Sequence, residues 1–381
     1  MTGRSPGEAV TAVVPTLGRE PLMLGRCLAS IPPDVEVIVA IDAPEGTQVP
    51  GAGDRCVWTG GGAGFSGTAM RGIGRANREL VLLLNDDAWL APGAVEVMAD
   101  AMHLDPLVAG IAPKIKFASW PDLINSVGSV LFADGRADSR GIGQPDIGQY
   151  DRPRRVFGCH FAAALLRRDL FEDHVGPLDV TFGSYYEDVD WCLRANLAGY
   201  RFQTAPDALV FHEHSATAGR QPDDYAFVNA ERNLLWTVVK GFESSRAAGV
   251  VTRRLVAHAR NVLLQGPHGR GSRRVLRQFW SGAPAALAAR RLIQRARKVC
   301  DNEVLALSAG EKIWFDSRSG PVLDGRCLLD ALSRHPDHAA TAAEFERLLA
   351  VGADGDVDSL LRESAPAAGQ YWNRLQSRAA P

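Results

Sequence analysis

The sequence predicts an α/β fold, an open mixed sheet with helices on both faces, followed by a helical C-terminal region. Short apolar runs rich in β-branched residues alternate with helical patterns through the first hundred residues, which is typical of such a sheet. After residue 240 the chain is rich in Ala, Arg and Leu at helical spacing. With 381 residues, 46% of them hydrophobic and 23% charged, the chain has ample material for a sizeable core.

The alternation can be followed element by element. The run AVTAVVP at residues 9–15 predicts the first strand, and the strongest later run, at 79–84, predicts another. Pro92, in a first-turn position, predicts a helix over 93–104. The other predicted elements of this part are strands at 35–41 and 56–59 and helices at 21–30 and from about residue 68.

Beyond residue 105 the pattern loosens into short strands and loops. Residues 133–155, dense in Gly, Asp, Arg and Pro, predict a long loop, and such loops in compact domains are more often functional than idle. We place a domain boundary near residue 240, giving domains of residues 1–240 and 241–381. The last eighty residues read as helical and carry no chemical motif. The predicted later helices lie at 187–197, 251–264 and 284–299.

Composition excludes several classes of protein. The longest apolar runs, such as that at 81–84, are far too short to span a bilayer. Glu8 stands where a signal peptide would need its apolar stretch. The six cysteines contain no Cys-x-x-Cys pair, so neither a disulfide framework nor a zinc site is indicated. We therefore expect a soluble, cytoplasmic protein with reduced thiols.

The net charge of −2 conceals a strong asymmetry. Residues 240–300 hold fourteen Lys and Arg against one acid, Glu243. Two interpretations of this basic segment stay open: a helical cap with solvated arginines, and peripheral attachment to anionic lipid. A nucleic-acid partner is not expected, because the segment offers few aromatic rings, chiefly Phe279 and Trp280.

Three polar clusters stand where chemistry is expected. Asn85, Asp86 and Asp87 follow the strand at 79–84, at the edge where open α/β sheets bind ligands. Two adjacent carboxylates suit a hard divalent cation whose shell a nucleotide diphosphate completes, although a solvated turn is the alternative. His212 and His214 are two residues apart at a strand end, so both rings point to one side, which favours metal or phosphate contact.

The third cluster, YYEDVDWCLR at residues 185–194, opens a helix with three acids. One interpretation is that Glu187, Asp188 and Asp190 complement the helix dipole. The other is that one acid, held in a partly apolar cleft between aromatic side chains, acts as a general base.

Together these segments resemble the family 2 inverting glycosyltransferases, especially the bacterial rhamnosyltransferase- and galactofuranosyltransferase-like branch. The resemblance covers residues 10–240. Its carriers are VVPT at 13–16 with Arg19, GAGFSG at 62–67, LLLNDD at 82–87, PGA at 92–94, DP at 105–106, APK at 112–114, GPLD at 176–179, EDVDWCLR at 187–194, His212 with SAT at 215–217, and RN at 232–233.

The resemblance implies a GT-A-type catalytic domain over residues 1–240, a divalent metal (Mn or Mg), and a role in cell-wall or polysaccharide biosynthesis. It implies that a sugar passes from a UDP- or dTDP-linked donor to a hydroxyl of a glycan or lipid-linked glycan. Asp188 would be the catalytic base, and Asp87 and His212 the metal ligands, with His214 as the rival of His212. The nucleotide-sugar would contact Pro15, Thr16, Arg19, Asp42, Asn85 and Asp86. The acceptor-binding or supporting residues would be Glu187, Asp190, Trp191, Arg194 and His214.

The sequence departs from the family pattern at three places. Asn85 replaces the first acid of the usual metal motif, Ala43-Pro44-Glu45 replaces a small polar turn after Asp42, and the asparagine expected after the glycine loop is replaced at Ala69 or Met70.

Two alternative functions are retained. Gly62, Gly64 and Gly67 form a literal G-x-G-x-x-G between a predicted strand and a helix, as in NAD(P)-dependent oxidoreductases. A nucleotide-sugar-binding homologue without catalysis is the other, suggested by Asn85.

Overall fold

The computed structural model describes residues 5–53, 55–173, 175–213, 224–266, 268–316, 320–322 and 324–379. Its strands are β1 (Val10–Thr16), β2 (Glu36–Ile41), β3 (Cys56–Trp58), β4 (Leu80–Leu84), β5 (Ala88–Leu90), β6 (Val108–Phe117), β7 (Ile124–Ser126), β8 (Ser129–Leu131), β9 (Ala137–Ser139), β10 (Arg155–Val156), β11 (Ala163–Arg167), β12 (Arg201–His212), β13 (Phe315–Asp316) and β14 (Gly320–Pro321). Its helices are α1 (Pro21–Ala29), α2 (Gly64–Ile73), α3 (Ala94–His103), α4 (Asp169–Glu172), α5 (Glu187–Leu197), α6 (Tyr225–Gly241), α7 (Ser244–Leu263), α8 (Gly269–Ala296), α9 (Asp301–Ala306), α10 (Gly325–Arg334), α11 (Ala339–Val351), α12 (Asp354–Ser364) and α13 (Pro366–Ala379).

The central sheet mixes parallel and antiparallel strands. Strands β3, β2, β1 and β4 are parallel neighbours, β11 runs antiparallel between β4 and β6, and β12 is parallel to β6. Strand β5 pairs antiparallel with the end of β12, and β7 with β6. The carboxyl ends of β1, β2 and β4 therefore lie side by side, at the edge where open α/β sheets bind ligands.

Helices cover both faces of the sheet, as predicted. Val14 packs in one buried cluster with Leu24 of α1 and Met98 of α3, whereas its neighbour Val13 packs in another with Ile73 of α2. Successive strand residues point to opposite faces, so these apolar runs are buried on both sides.

The C-terminal region is helical, also as predicted. Trp236 of α6 and Phe279 of α8 share one buried cluster. Helices α10 to α13 form another cluster that takes in Phe117 at the end of β6 and Ile142 after β9. Across the described ranges, no helix combines the length and apolarity that a membrane crossing needs.

Several predicted boundaries were wrong. Helix α2 begins at Gly64, not near residue 68, because its first turn packs against the segment at Gly183. Helix α8 begins at Gly269 and keeps Pro284 inside it, with that ring on the exposed side. The predicted loop at 133–155 contains β9 and β10, and much of it is buried because the C-terminal helices cover it.

Candidate active site

A cleft of about 1060 Å³ opens at the carboxyl ends of β1, β2 and β4. It is the size of a large ligand pocket. The predicted residues that line it are Pro15, Thr16, Arg19, Asp42, Asn85, Asp86, Asp87, Glu187 and Asp188. Four other predicted residues, His212, Asp190, Trp191 and Arg194, lie behind this lining. His214 lies outside the described residues.

The cleft is strongly acidic. Arg19 is the only lysine or arginine among the described residues that line it. The lining carboxylates are Asp42, Asp86, Asp87, Asp138, Glu187, Asp188 and Asp316. A ligand carrying phosphates would be repelled by this surface unless a cation offset part of its charge.

A residue at the end of β1 positions an acidic residue that follows the neighbouring strand β4. Thr16 closes β1, and its hydroxyl donates to Asp86 Oδ2 (2.5 Å) while accepting from the backbone N–H of Gly18 (2.8 Å). Burial raises the pKa of Asp86 to about 6, against the opposing effect of the Thr16 hydrogen bond. Thr16 thus fixes the orientation of a carboxylate on the neighbouring strand.

Sheet pairing brings Asp87 and His212 together from distant parts of the chain. Asp87 precedes β5, whose first residue, Ala88, pairs with His212 at the end of β12. The backbone N–H of Glu213 donates to the carbonyl of Asp87 (2.9 Å). The result is a distance of 3.1 Å between His212 Nε2 and Asp87 Oδ1, with both side chains buried.

The pair has the arrangement of two metal ligands. His212 Nδ1 lies 3.1 Å from Asn125 Oδ1, which can only accept, so Nδ1 carries a proton and Nε2 is the nitrogen that faces Asp87. Asp87 Oδ1 has no hydrogen-bond donor within the described chain. An imidazole nitrogen and a carboxylate oxygen at this distance can share a cation or a proton, and the Asn125 contact is the outer hydrogen bond typical of metal-ligating histidines.

A divalent cation fits this donor set. Within the described ranges no three His, Cys, Asp or Glu side chains converge as a complete metal cage. One carboxylate and one imidazole leave most of an octahedral shell to water and ligand oxygens, and cations that bind nucleotide phosphates are commonly held in this way.

The glycine-rich loop is already occupied by protein groups. Asp42, after β2, accepts hydrogen bonds from Thr59 Oγ1 (2.6 Å) and from the backbone N–H groups of Ala63 (2.9 Å) and Gly64 (3.0 Å). The next amides, of Phe65 and Ser66, donate to Ser184 Oγ and to the Gly183 carbonyl.

The start of α2 therefore lacks the open amides that a dinucleotide pyrophosphate needs. Gly64 has φ +66°, and a Cβ there would lie 2.6 Å from the carbonyl oxygen of Gly183. Close packing accounts for this glycine, and the geometry argues against the NAD(P) alternative.

The opposite wall is the strained entry to α5. Tyr185 and Tyr186 have φ values of 72° and 70°, a left-handed conformation that is costly for aromatic residues and that clusters at functional sites. The Tyr186 hydroxyl accepts from the N–H of Ala137 (3.1 Å) and donates to the carbonyl of Gly135 (3.2 Å). This turn sets the first residues of α5 against the cleft.

Glu187 and Asp188 respond differently to this burial. Desolvation raises the pKa of Asp188 to about 6, against hydrogen bonds from the backbone of Val189 and Phe161. Desolvation and the neighbouring Asp188 charge raise the pKa of Glu187 well above its ordinary value. Glu187 Oε2 is buried and has no hydrogen-bond partner within the described chain. Glu187 is therefore the member of the pair that keeps a proton more readily, and Asp188 is the one that ionises more readily.

The remaining predicted residues of α5 hold the helix in place. Asp190 is buried between Arg194 (2.9 Å) and Lys240 of α6 (2.7 Å). Trp191 stacks on Phe171 at 4.6 Å, and its indole donates to the carbonyl of Gly176 (3.0 Å). These contacts fix α5 from behind while Glu187 and Asp188 face the cleft.

Sequence analysis missed several residues of the site. Asn125, which orients His212, has no distinguishing pattern in the sequence. His160 lines the cleft with its ring 6.2 Å from that of His212, and its position just before the apolar run of β11 was a usable signal. Phe315 and Asp316 reach the cleft from the region to which no chemistry was assigned.

Comparison with known proteins agrees with this geometry. The mixed sheet with its cleft at the carboxyl edge is a GT-A fold. A crystal structure of GalNAc-T7 with UDP, GalNAc and Mn²⁺ matches 71% of this chain with a TM-score of 0.51 and 11% identity. This chain covers 54% of that structure, about half its length. A Pyrobaculum calidifontis mannosyltransferase, PcManGT, in complex with GDP-Man and Mn²⁺, matches 79% of this chain and 86% of its own, with a TM-score of 0.42 and 16% identity.

The family follows from the sequence match. The model of glycosyl transferase family group 2 matches residues 80–289, more than half of the chain. This protein belongs to that family. No curated protein matches the sequence. The predicted resemblance is thus confirmed at the level of the family, whereas the rhamnosyl and galactofuranosyl branch stays a prediction.

Proposed function

We propose that this protein is a glycosyltransferase that moves a sugar from a UDP- or dTDP-linked donor to a hydroxyl of a glycan or lipid-linked glycan, with inversion at the anomeric carbon. The observation that carries the proposal is the division of one acidic cleft into two parts. Asp87 and His212 offer a cation site at one wall, and Asp188 offers an ionised carboxylate at the other. A donor held by its diphosphate at the first would present its sugar toward the second.

The donor-binding residues surround the strand ends. Arg19 is exposed, lines the cleft and has no carboxylate partner within the described chain, so it can meet a phosphate. Pro15, Thr16, Asn85 and Asp86 line the same end. Asp42 shapes the glycine loop with its hydrogen bonds, and a carboxylate has acceptor capacity left for a ribose hydroxyl.

The chemistry proposed for the other wall is one displacement. The acceptor hydroxyl forms a bond to the anomeric carbon while the bond from that carbon to the diphosphate oxygen breaks, and the nucleoside diphosphate leaves with the electron pair. Asp188 takes the proton of the acceptor hydroxyl. A divalent metal, Mn or Mg, held by Asp87 and His212 would stabilise negative charge on the leaving diphosphate. A single displacement of this kind inverts the anomeric configuration.

Other parts of the proposal come from the sequence resemblance. They are the rhamnosyl- or galactofuranosyl-like branch, a role in cell-wall or polysaccharide biosynthesis, a cytoplasmic location, and a division into a catalytic domain over residues 1–240 and a C-terminal region over 241–381. Asn85 suggested a homologue without catalysis, but Asp87 and Asp188 in one cleft favour an active enzyme.

Ligand-induced stabilisation tests the donor and the metal together. Thermal unfolding is measured with UDP, dTDP, GDP and NAD, each with and without Mn²⁺. We expect UDP or dTDP to stabilise the protein only when Mn²⁺ is present, by about 2.7 kcal/mol at a hundredfold excess over Kd. The matched control is Asp87→Asn, which keeps the volume of the side chain and removes its charge, and which should lose the shift. Stabilisation by NAD alone, without metal, would overturn the proposal.

A further inference from the structure

Helices α7 and α8 sort the arginines of the basic segment into two sets. One set is bound within the protein. Arg254 and His258 both contact Glu231 (2.8 and 3.2 Å), and Arg290 donates to the carbonyls of Val239 (2.7 Å) and Phe242 (2.6 Å). These contacts join α7 and α8 to α6.

The second set faces solvent. Seven arginines are exposed and have no carboxylate partner in the described parts of the chain: Arg253 and Arg260 on α7, and Arg270, Arg273, Arg277, Arg291 and Arg295 on α8. The excess of basic residues in this segment is visible in the sequence, and the structure places these seven arginines on an outer surface.

Large apolar side chains are exposed among these arginines. Fourteen such side chains are exposed across the described residues, and six of them fall between positions 256 and 292: Val256, Leu263, Leu264, Trp280, Leu287 and Leu292. Their exposed fractions run from 51% for Leu287 to 80% for Leu263. Clustering of exposed apolar side chains marks an interaction surface.

Packing fixes which side of α8 is outward. Val275, Phe279 and Ala286 are buried against α6, and a Cβ on Gly282 would lie 2.2 Å from the ring of Trp236. Helix α8 therefore cannot turn its leucines and Trp280 inward without losing this contact. Helices α7 and α8 contact each other, and we call their solvent-facing sides together, which carry the seven arginines and six apolar side chains, the α7–α8 face.

We infer that the α7–α8 face binds an anionic lipid surface. Such a surface takes both components at once, because arginines meet the lipid phosphates and Trp and Leu side chains enter the boundary between headgroups and acyl chains. A second copy of this chain is disfavoured, because like charges would face each other. Nucleic acid would use the arginines but would leave the leucines in water.

Vesicle co-sedimentation of the full chain tests the inference without any knowledge of donor or acceptor. The two vesicle preparations are phosphatidylcholine alone and an equal mixture of phosphatidylcholine and phosphatidylglycerol. We expect the protein to pellet with the mixture and to stay in solution with phosphatidylcholine alone.

Two variants separate the components of the face. The charge variant is Arg273→Gln, Arg277→Gln, Arg291→Gln and Arg295→Gln together, and the apolar variant is Trp280→Gln, Leu287→Gln and Leu292→Gln together. Glutamine keeps helix propensity at these positions. The charge variant should lower partitioning at least about tenfold, since one basic side chain near an anionic surface is worth roughly fivefold in binding. The apolar variant should lower it too, because binding strength scales with the apolar area that enters the interface.

The controls match these changes elsewhere on the surface. They are Arg75→Gln, Arg152→Gln, Arg326→Gln and Arg362→Gln together, and Leu22→Gln with Leu104→Gln, whose leucines are 89% and 80% exposed. Both should partition like the wild type, and far-UV circular dichroism checks that every variant is folded. Wild-type protein that stays in solution with both vesicles overturns the inference. So does duplex DNA binding that matches the vesicle binding and is unaffected by the apolar variant.

Discussion

Glu187 and Asp188 are adjacent carboxylates that line the same cleft, yet their surroundings give them different tendencies to ionise. Asp188 is stabilised in its charged form by backbone hydrogen bonds, whereas Glu187 Oε2 is buried with no donor within the described chain. A buried carboxyl without a donor is more stable when protonated. In the proposed mechanism Asp188 is then the base, and Glu187 is the carboxyl that keeps its proton more readily and can donate a hydrogen bond into the cleft.

Isosteric amide substitutions distinguish the two roles. Asp188→Asn should lower kcat by about 10²–10⁴-fold, because the amide cannot take a proton. Glu187→Gln should keep most of the activity, because the amide still donates a hydrogen bond as the protonated acid does. Donor-induced stabilisation should be unchanged in both variants, which separates chemistry from binding. Equal loss of activity in the two variants would contradict this assignment.

The pH profile of the wild type provides a second readout of the same assignment. The base works only when ionised, and the pKa of Asp188 is raised to about 6. The rate should therefore fall about tenfold per pH unit below that pKa and level off above it. A rate that stays constant from pH 5 to 7 would exclude Asp188 as the titrating base.

For single residues, the sequence predicts which kinds of side chain lie at the site better than it predicts which of them contact one another. Asp87, Asp188 and His212 stand at the ends of periodic apolar runs or at the start of a predicted helix, so local pattern places them at the sheet edge. Asn125 is 87 positions from His212, and only the pairing of β6 with β7 and β12 brings it near. No local pattern contains such a contact.

At the scale of elements, the end of α6 secures the start of α5. The Lys240 ammonium is 3% exposed and contacts Asp190 (2.7 Å), Asp179 (2.9 Å) and the ring of Phe182 (4.3 Å). It joins two segments that lie next to the cleft, the loop before Tyr185 and the helix that carries Asp188.

Replacing Lys240 should lower the free energy of unfolding. Lys240→Met keeps the apolar stem but leaves Asp190 with Arg194 alone, and breaking a buried ion pair costs about 3 kcal/mol or more. Urea denaturation at constant m-value measures the loss. Lys298→Met, at an exposed lysine, is the control and should change the free energy of unfolding little. Equal stability of the two variants would show that the Lys240 contacts are not stabilising.

The predicted elements succeed where apolar periodicity is strong. Strands β1, β2 and β4 and helix α5 lie within a residue of their expected bounds, because their patterns are long and uninterrupted. The start of α8 was missed because Gly269, Gly271 and Pro284 read as breakers, although Gly271 packs against Phe227 and Pro284 faces solvent. The glycine-rich loop suggested a dinucleotide site for a similar reason. Gly64 is in fact required for close packing against Gly183.

At the scale of the whole molecule, the C-terminal helices pack against the part of the chain that contains the central sheet. Arg140 and Glu311 form an ion pair of 2.8 Å with both side chains 3% exposed, and Arg334 also contacts Glu311 (3.0 Å). Nearby, Gln144 donates to Asp330 (2.8 Å). Arg140 and Glu311 are 171 positions apart in the sequence, and Gln144 and Asp330 are 186 apart. The sequence therefore predicted helices here without predicting what they contact.

This arrangement predicts that residues 140–151 and the helices α10 and α11 lose structure together. Glu311→Gln leaves the Arg140 guanidinium buried without its charge partner, a change that costs about 3–5 kcal/mol. Hydrogen exchange read by mass spectrometry should show faster exchange in both regions, while β1, β2 and β4 keep their protection.

Arg347→Gln is the matched control, since its pair with Glu344 is 61% and 43% exposed and such surface pairs contribute little. Faster exchange in α10 and α11 alone would mean that the C-terminal helices are a separate cooperative unit. Joint loss would mean that the wall of the cleft bearing Phe315 and Asp316 is stabilised by the C-terminal core, so that substitutions far from the cleft can change its shape.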